Sequence, residues 1–144
     1  MICNFREGNR WLSNFAFVKI KLNNIVYPTV EHAYMSAKND DINWKAFCAD
    51  RMNSASQVKK AGRTIQLINN WEIKKLLIME EYIRQKFNQE PCKTKLLNTH
   101  DEHIQEGNYW GDAFWGVSLK TNKGHNHLGQ LIMQIRVELN NENK

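Results

Sequence analysis

The stretch that decides the fold is Phe17-Val-Lys-Ile-Lys-Leu-Asn-Asn-Ile-Val-Tyr-Pro-Thr-Val-Glu-His-Ala-Tyr-Met-Ser-Ala-Lys38. Its first half has a period of two: Val18, Ile20 and Leu22 alternate with Lys19 and Lys21, as in a half-buried strand. Asn23-Asn24 supplies a turn and Ile25-Val26-Tyr27 returns, which predicts a hairpin over 17–27. Pro28-Thr29 then stops the sheet pattern. Thr29 is placed to cap a helix over about residues 30–38, where the apolar spacing changes to that of a helix. One short stretch therefore contains both a strand pair and a helix start, and it sets the class as α+β.

Working outward, Ser54-Ala-Ser-Gln57 has the spacing of a capping box, and Gly62 lies where that helix would stop. Trp71 to Phe87 is the longest helix candidate, with Ile73, Leu76, Leu77, Met79, Ile83 and Phe87 as a broad apolar face and Pro91 beyond its end. A last helix is expected over 126–139 from Leu128, Leu131, Ile132, Ile135 and Leu139. Residues 106–124, rich in glycine and aromatics, have no clean period. The reading is an α+β, mainly helical single domain over residues 1–144 with a small antiparallel sheet.

Composition fits this. Apolar residues make up 42 % and charged residues 24 % of 144 residues, close to globular averages. No apolar run approaches the roughly 20 residues that span a membrane, and Met1 to Arg10 has no apolar signal core. Cys3, Cys48 and Cys92 are far apart, which fits free thiols and neither a disulfide framework nor a zinc site. The expectation is a cytoplasmic protein. Asn and Lys are abundant and Pro scarce, a base-composition bias that also fits a viral protein acting in a host cytoplasm. The net charge of +5 suits a phosphate-bearing partner.

Four segments carry polar residues that packing alone does not require. Trp11-Leu-Ser-Asn-Phe15 suits a loop that presents Ser13 or Asn14 beside a stacking ring, and reads equally as a turn before a strand. On a helix, Glu31, Tyr34, Met35 and Lys38 share one face, so a carboxylate and an ammonium project in one line. Glu31 lies in the first turn, where the helix dipole favours its ionised form and suits it to act as a base or charge stabiliser. The same pair also fits ordinary surface charge. His32 lies about 100° round the helix from Glu31 and is read as structural. Trp71 opens its helix as either a core anchor or a ring platform. Last, Glu106-Gly-Asn-Tyr-Trp-Gly-Asp-Ala-Phe-Trp-Gly116 and Gly124-His-Asn-His-Leu-Gly129 surround two carboxylates with glycines and large rings. Gly124 and Asn126 precede the final helix, whose first N–H groups can hold a phosphate; the alternative is a packed aromatic loop. His125 and His127 do not share a helix face, which argues against a two-His metal site. No Gly-x-Ser-x-Gly, Walker loop or zinc spacing occurs. What remains is carboxylate chemistry beside aromatic rings, which fits hydrolysis of a glycosidic bond on a nucleotide-like substrate.

The set Ser13-Asn-Phe15, Tyr27-Pro-Thr-x-Glu31-His32-x-x-x-x-Ala-Lys38, Trp71-x-x-x-Lys75-x-x-x-Met79 with Lys86-Phe87, Asp112-Ala-Phe-Trp-Gly116, and Gly124-x-Asn126-x-Leu-Gly129 with Met133 and Arg136 resembles the NADAR (YbiA-like) family over about residues 4–139. The resemblance implies an N-glycosidase that cleaves the bond between a ribose and an exocyclic amino nitrogen. It implies two substrate classes: ADP-ribose on guanine in DNA or RNA, and amino-linked ribose phosphate intermediates of riboflavin synthesis. A non-catalytic ADP-ribose or nucleotide-binding module is the reading from another class. The chain departs from the common pattern in its longer Ser118 to Lys123 stretch, and a second Trp-Gly pair, Trp110-Gly111, competes with Trp115-Gly116 in alignment. On this resemblance Glu31, Lys38 and Asp112 are the expected catalytic residues. Asn14, Phe15, Trp71, Trp115, Gly124, Asn126 and Gly129 are expected around the substrate. No cofactor or metal and no membrane partner is expected. Two routes are open: Glu31 or Asp112 stabilises positive charge at the anomeric carbon and orients water, or Lys38 exchanges into a ring-opened imine.

Overall fold

Asn23 and Asn24 both adopt positive φ, 49° and 69°, the pair of left-handed residues that a tight hairpin turn needs. They join β1 (Ile20–Leu22) to β2 (Ile25–Tyr27) in antiparallel register, with Ile20 opposite Tyr27. The computed structural model describes residues 1–143. Its contacts gather the chain into two compact units: Asn14–Lys86, and Met1–Ser13 with the chain from Phe87 onward.

The Asn14–Lys86 unit is built around α1 (Val30–Ser36), in which all seven residues are buried. A helix with no solvent face must satisfy its ends from within the protein. Thr29 accepts from the His32 amide at 3.1 Å, and the His32 ring lies 2.7 Å from Thr29 Oγ1 and 2.7 Å from the Asn53 carbonyl. The expected structural role of His32 is thus what the geometry shows. At the other end, α2 (Ile42–Ala49) turns two side chains onto the last carbonyls of α1. Trp44 Nε1 donates to Met35 O at 2.9 Å and Lys45 Nζ to Ser36 O at 3.0 Å. Sequence reading did not foresee α2, because only Trp44 and Cys48 of its residues are buried. Next, α3 (Ala55–Gly62) begins with the expected capping box of Ser54 and Gln57.

The long helix α4 (Trp71–Phe87) has the expected bounds but not the expected face. Met79, Tyr82, Ile83, Lys86 and Phe87 are buried, whereas Ile73 is 75 % and Leu77 69 % exposed. Ile73 and Leu77 lie about 120° round the helix from Met79 and Ile83. The apolar positions span two faces, and one of these faces solvent.

In the other unit, Ile2 bridges to Ile104, a 3₁₀ turn covers Glu7–Leu12, and α5 spans Cys92–Leu97. The aperiodic 106–124 segment holds a parallel pair, β3 (Gly107–Asn108) and β4 (Val117–Ser118), strands too short to show a period. The protein is thus α+β and mainly helical, with this parallel pair in addition to the expected antiparallel one. Closing the chain, α6 (His127–Glu142) buries Leu128, Ile132, Ile135 and Leu139. Arg136, also buried, donates to Thr99 Oγ1 at 2.8 Å and Glu102 O at 2.9 Å, and Met133 Sδ accepts from the Ile104 amide. Both residues hold α6 in place. Among the described residues no helix is long and apolar enough to cross a membrane.

The two faces of α4 give a direct contrast in stability. Ile83→Ala should lower unfolding free energy by about 2–5 kcal/mol, and Ile73→Ala by no more than about 0.5 kcal/mol, as measured by urea denaturation.

Candidate functional site

The end of α1 sets the first half of the site. Helix α1 ends at Ser36, its C-cap Ala37 donates to Ala33 O at 3.2 Å, and Lys38 follows in the turn, half-buried. Its Nζ lies 6.0 Å from the ring centres of both Tyr34 and Trp71, and those two rings meet at 5.2 Å. Trp71 is buried, so it is a core ring that also forms a wall beside the amine. Glu31, two turns back on α1, is buried as well. Its backbone N–H donates to Asn14 O at 3.0 Å. Asn14 is itself buried and spends its amide nitrogen on Met79 Sδ at 3.5 Å, while its Oδ1 has no hydrogen-bond partner among the described residues. A buried acceptor without a partner is costly, so Asn14 holds an unspent acceptor in this unit.

Electrostatics makes Lys38 unusual. Burial pushes its pKa below the ordinary lysine value; Glu31 opposes this by favouring the ammonium, and Lys59, Lys75 and Arg63 add to the lowering. Lys59 also lies 5.6 Å from the Phe15 ring centre, while Lys75 pairs with Glu72. Packing tightens the same corner: a Cβ built on Gly62 would sit 2.5 Å from Met35 Sδ and 3.8 Å from Lys38 Nζ. The structure thus brings Glu31, Lys38 and Trp71 into one neighbourhood, with Asn14 against Glu31. Lys59, Gly62 and Arg63 were missed in the sequence. The i, i+4 spacing of Lys59 and Arg63 after the Ser54 cap was the available signal.

The other unit holds the second group of expected residues. Asp112 Oδ1 accepts from Phe114 N at 3.0 Å and Trp115 N at 2.9 Å, so this carboxylate organises the loop that carries Trp115. Asn108 and Asp112 also exchange bonds, Asp112 N to Asn108 Oδ1 at 3.0 Å and Asn108 Nδ2 to Asp112 O at 2.8 Å. Trp115 is half-buried, its ring edge-on to Phe114. A cleft of about 570 Å³ is lined by Ala113, Phe114, Lys123, Gly124 and His125, while a Cβ on Gly124 would collide with the Gly116 carbonyl, so the missing side chain makes room for the chain itself.

The expected phosphate seat at the start of α6 is corrected by the hydrogen bonding. The N–H groups of Asn126, His127 and Leu128 donate to the carbonyls of Gly116, Phe114 and Trp115. The Asn126 side chain is likewise spent: Oδ1 accepts from Glu106 N and Nδ2 donates to Ile104 O, both at 2.9 Å. Gly129 has no room for a Cβ because the Ile104 carbonyl and Asn126 stand against it. The Asn126 side chain and the missing side chain of Gly129 thus serve packing at this point.

Comparison with known proteins agrees with this architecture. A family model described as the NADAR domain matches residues 4–140. The N-glycosidase YbiA of Escherichia coli is 34 % identical over 134 residues, covering 88 % of this chain and 79 % of that protein. An N-glycosidase of Nostoc punctiforme is 35 % identical over 139 residues, covering 90 % and 85 %. A riboflavin biosynthesis protein of Vibrio vulnificus is 31 % identical over 136 residues, which is 92 % of this chain but 36 % of that longer protein. The NMR structure of Escherichia coli YbiA superposes with a TM-score of 0.86 at 32 % identity, covering 99 % of this chain and 87 % of the other.

The packing role of Asn126 is open to test. Asn126→Ala strands the Glu106 amide and the Ile104 carbonyl, and should cost about 2–4 kcal/mol of stability in a denaturant melt. A variant with unchanged stability and weakened substrate binding would return Asn126 to the substrate.

Proposed function

The chain belongs to the NADAR family, and from that premise we propose that it is an N-glycosidase that removes ADP-ribose from ADP-ribosylated guanine in nucleic acid, with Lys38 as its nucleophile. The observation that carries this reading is the environment of Lys38. A desolvated amine of lowered pKa keeps more of its neutral, nucleophilic form near pH 7 than an exposed lysine does. Glu31 stands in line to take and return protons. Lys59, Arg63 and Lys75 make the surroundings of the amine favour an anionic substrate. Asp112 acts locally in this reading, as the residue that holds Trp115 in its loop. The family model spans residues 4–140, which supports reading them as a single domain.

The steps balance without a co-reactant other than water. The ribose ring opens as the exocyclic nitrogen's lone pair forms a C=N bond and the ring oxygen takes a proton. Neutral Lys38 adds to that carbon and gives up a proton, which Glu31 carries to the base nitrogen. The guanine amine departs, leaving an imine between C1 and Lys38. Water then adds, the carbon–Lys38 bond breaks, and the free aldehyde recloses as ADP-ribose. In the simpler alternative, Glu31 directs water onto an oxocarbenium-like carbon and no bond to Lys38 forms.

A second substrate reading is favoured by the name of the Vibrio relative: amino-linked ribose phosphates of riboflavin synthesis. The same chemistry and the same cations serve both.

Borohydride added during turnover of an ADP-ribosylated guanine oligonucleotide should trap one adduct on Lys38, read by peptide mass, and none in Lys38→Ala. Glu31→Gln should lower kcat by about 10²–10⁴-fold while leaving binding largely intact. Active enzyme with no adduct would remove the imine route. No release of ADP-ribose, with turnover of amino-linked ribose phosphates, would replace the substrate. Tight ADP-ribose binding with no turnover of either would make the protein a binding module.

A further inference from the structure

The duplicated Trp-Gly pair separates into two parts with different environments. Trp115 is half-buried and followed by a buried Gly116, whereas Tyr109 is 52 % and Trp110 58 % exposed. The exposed pair is held firmly. The reciprocal bonds between Asn108 and Asp112 clamp the base of a three-residue tip, Tyr109-Trp110-Gly111. At the end of the tip Gly111 takes φ +86°, a conformation that favours glycine. Asn108, at the foot of the tip, is fully buried and fixed in register by Ser118. From the N-terminal segment, the exposed Arg6 guanidinium lies 5.5 Å from the Tyr109 ring centre and 5.9 Å from that of Trp110. Each ring leaves about half of its surface exposed, which forgoes about 1 kcal/mol of burial, and the clamp at the base keeps the two side by side at the surface.

We propose that the Tyr109-Trp110-Gly111 tip, with Arg6 against it, is a docking platform for single-stranded nucleic acid. Flat exposed rings accept any unstacked base, and guanidinium beside them meets the adjoining phosphate. Cations outnumber the carboxylate at the foot of the tip, Glu106, which accepts from Asn108 Nδ2 at 3.1 Å. The bond from Leu119 N to Asn108 O places the turn that carries the exposed Lys120 and Lys123 beside the foot of the tip. The neighbouring carboxylate of Asp112 is turned inward onto the Phe114 and Trp115 amides. An apolar protein partner would use the rings but gains nothing from Arg6, Lys120 and Lys123. The platform extends the proposed function by naming the carrier of the modified base, yet it binds the unmodified strand and needs no turnover.

The test is fluorescence anisotropy with labelled, unmodified single-stranded DNA and RNA oligonucleotides and with the matching duplex. Wild-type protein should bind a single strand more tightly than the duplex; whether DNA or RNA binds better identifies the physiological source. Trp110→Ala should weaken single-strand binding about ten-fold or more, and Trp110→Phe should keep most of it. Arg6→Gln should reduce the salt slope by about 0.7. Trp110 is exposed, so these variants should fold, as circular dichroism checks. Absence of single-strand binding would overturn the proposal, and is the result a protein-docking surface would give. So would a Trp110→Ala variant that binds as well as wild type, or a Phe variant as weak as Ala. None of these results touches the borohydride adduct on Lys38, so the two readings fail separately.

Discussion

Every residue of α1 is buried, and this constraint governs the Asn14–Lys86 unit. A short helix without a solvent face cannot leave its terminal N–H and C=O groups to water. Its start is closed by Thr29 and His32 and its end by Trp44 and Lys45 from α2. Once the helix is fixed in this way, the residues that leave it are fixed too. Glu31 is carried inward in the first turn, and Lys38 leaves the last turn against Tyr34 and Trp71. The same packing that stabilises the helix therefore desolvates an amine.

Desolvation alone lowers the pKa of Lys38. Its neighbours decide how far this goes. Glu31 favours the ammonium, while Lys59, Lys75 and Arg63 disfavour it. The cations that lower the Lys38 pKa are the same groups that give this corner its positive charge. The net charge of +5 thus has a local counterpart in the cations around Lys38, and a second one around Arg6, Lys120 and Lys123.

Features set by local chemistry were legible in the sequence. The Asn23-Asn24 turn, the Thr29 and Ser54 caps and the bounds of α4 depend on residues within a few positions of one another. The nearness of Glu31 to Lys38 follows in part from the helix repeat, although Lys38 stands in the turn beyond α1. What depended on distant partners was not legible. The period of α4 announced an apolar stripe but could not tell the buried Met79–Ile83 face from the exposed Ile73–Leu77 one. Arg136 and Lys86 are buried charges, and composition places charges outside. The start of α6 looked like an anion seat because the carbonyls of residues 114–116 that occupy its N–H groups come from an aperiodic loop. Lys59, Gly62 and Arg63 join Lys38 through the packing of α3 on α1, which no spacing within α1 reveals.

The central claim is that the fold keeps Lys38 as a poised amine, and its titration tests this most directly. Carbon-13 NMR of the lysine ε-methylene, assigned with Lys38→Arg, should give Lys38 a pKa below the ordinary lysine value of 10.5. Lys59→Met, which removes a repelling cation, should raise that pKa, and Glu31→Gln, which removes the stabilising carboxylate, should lower it further. A Lys38 that titrates with the exposed lysines and responds to neither substitution would contradict the account.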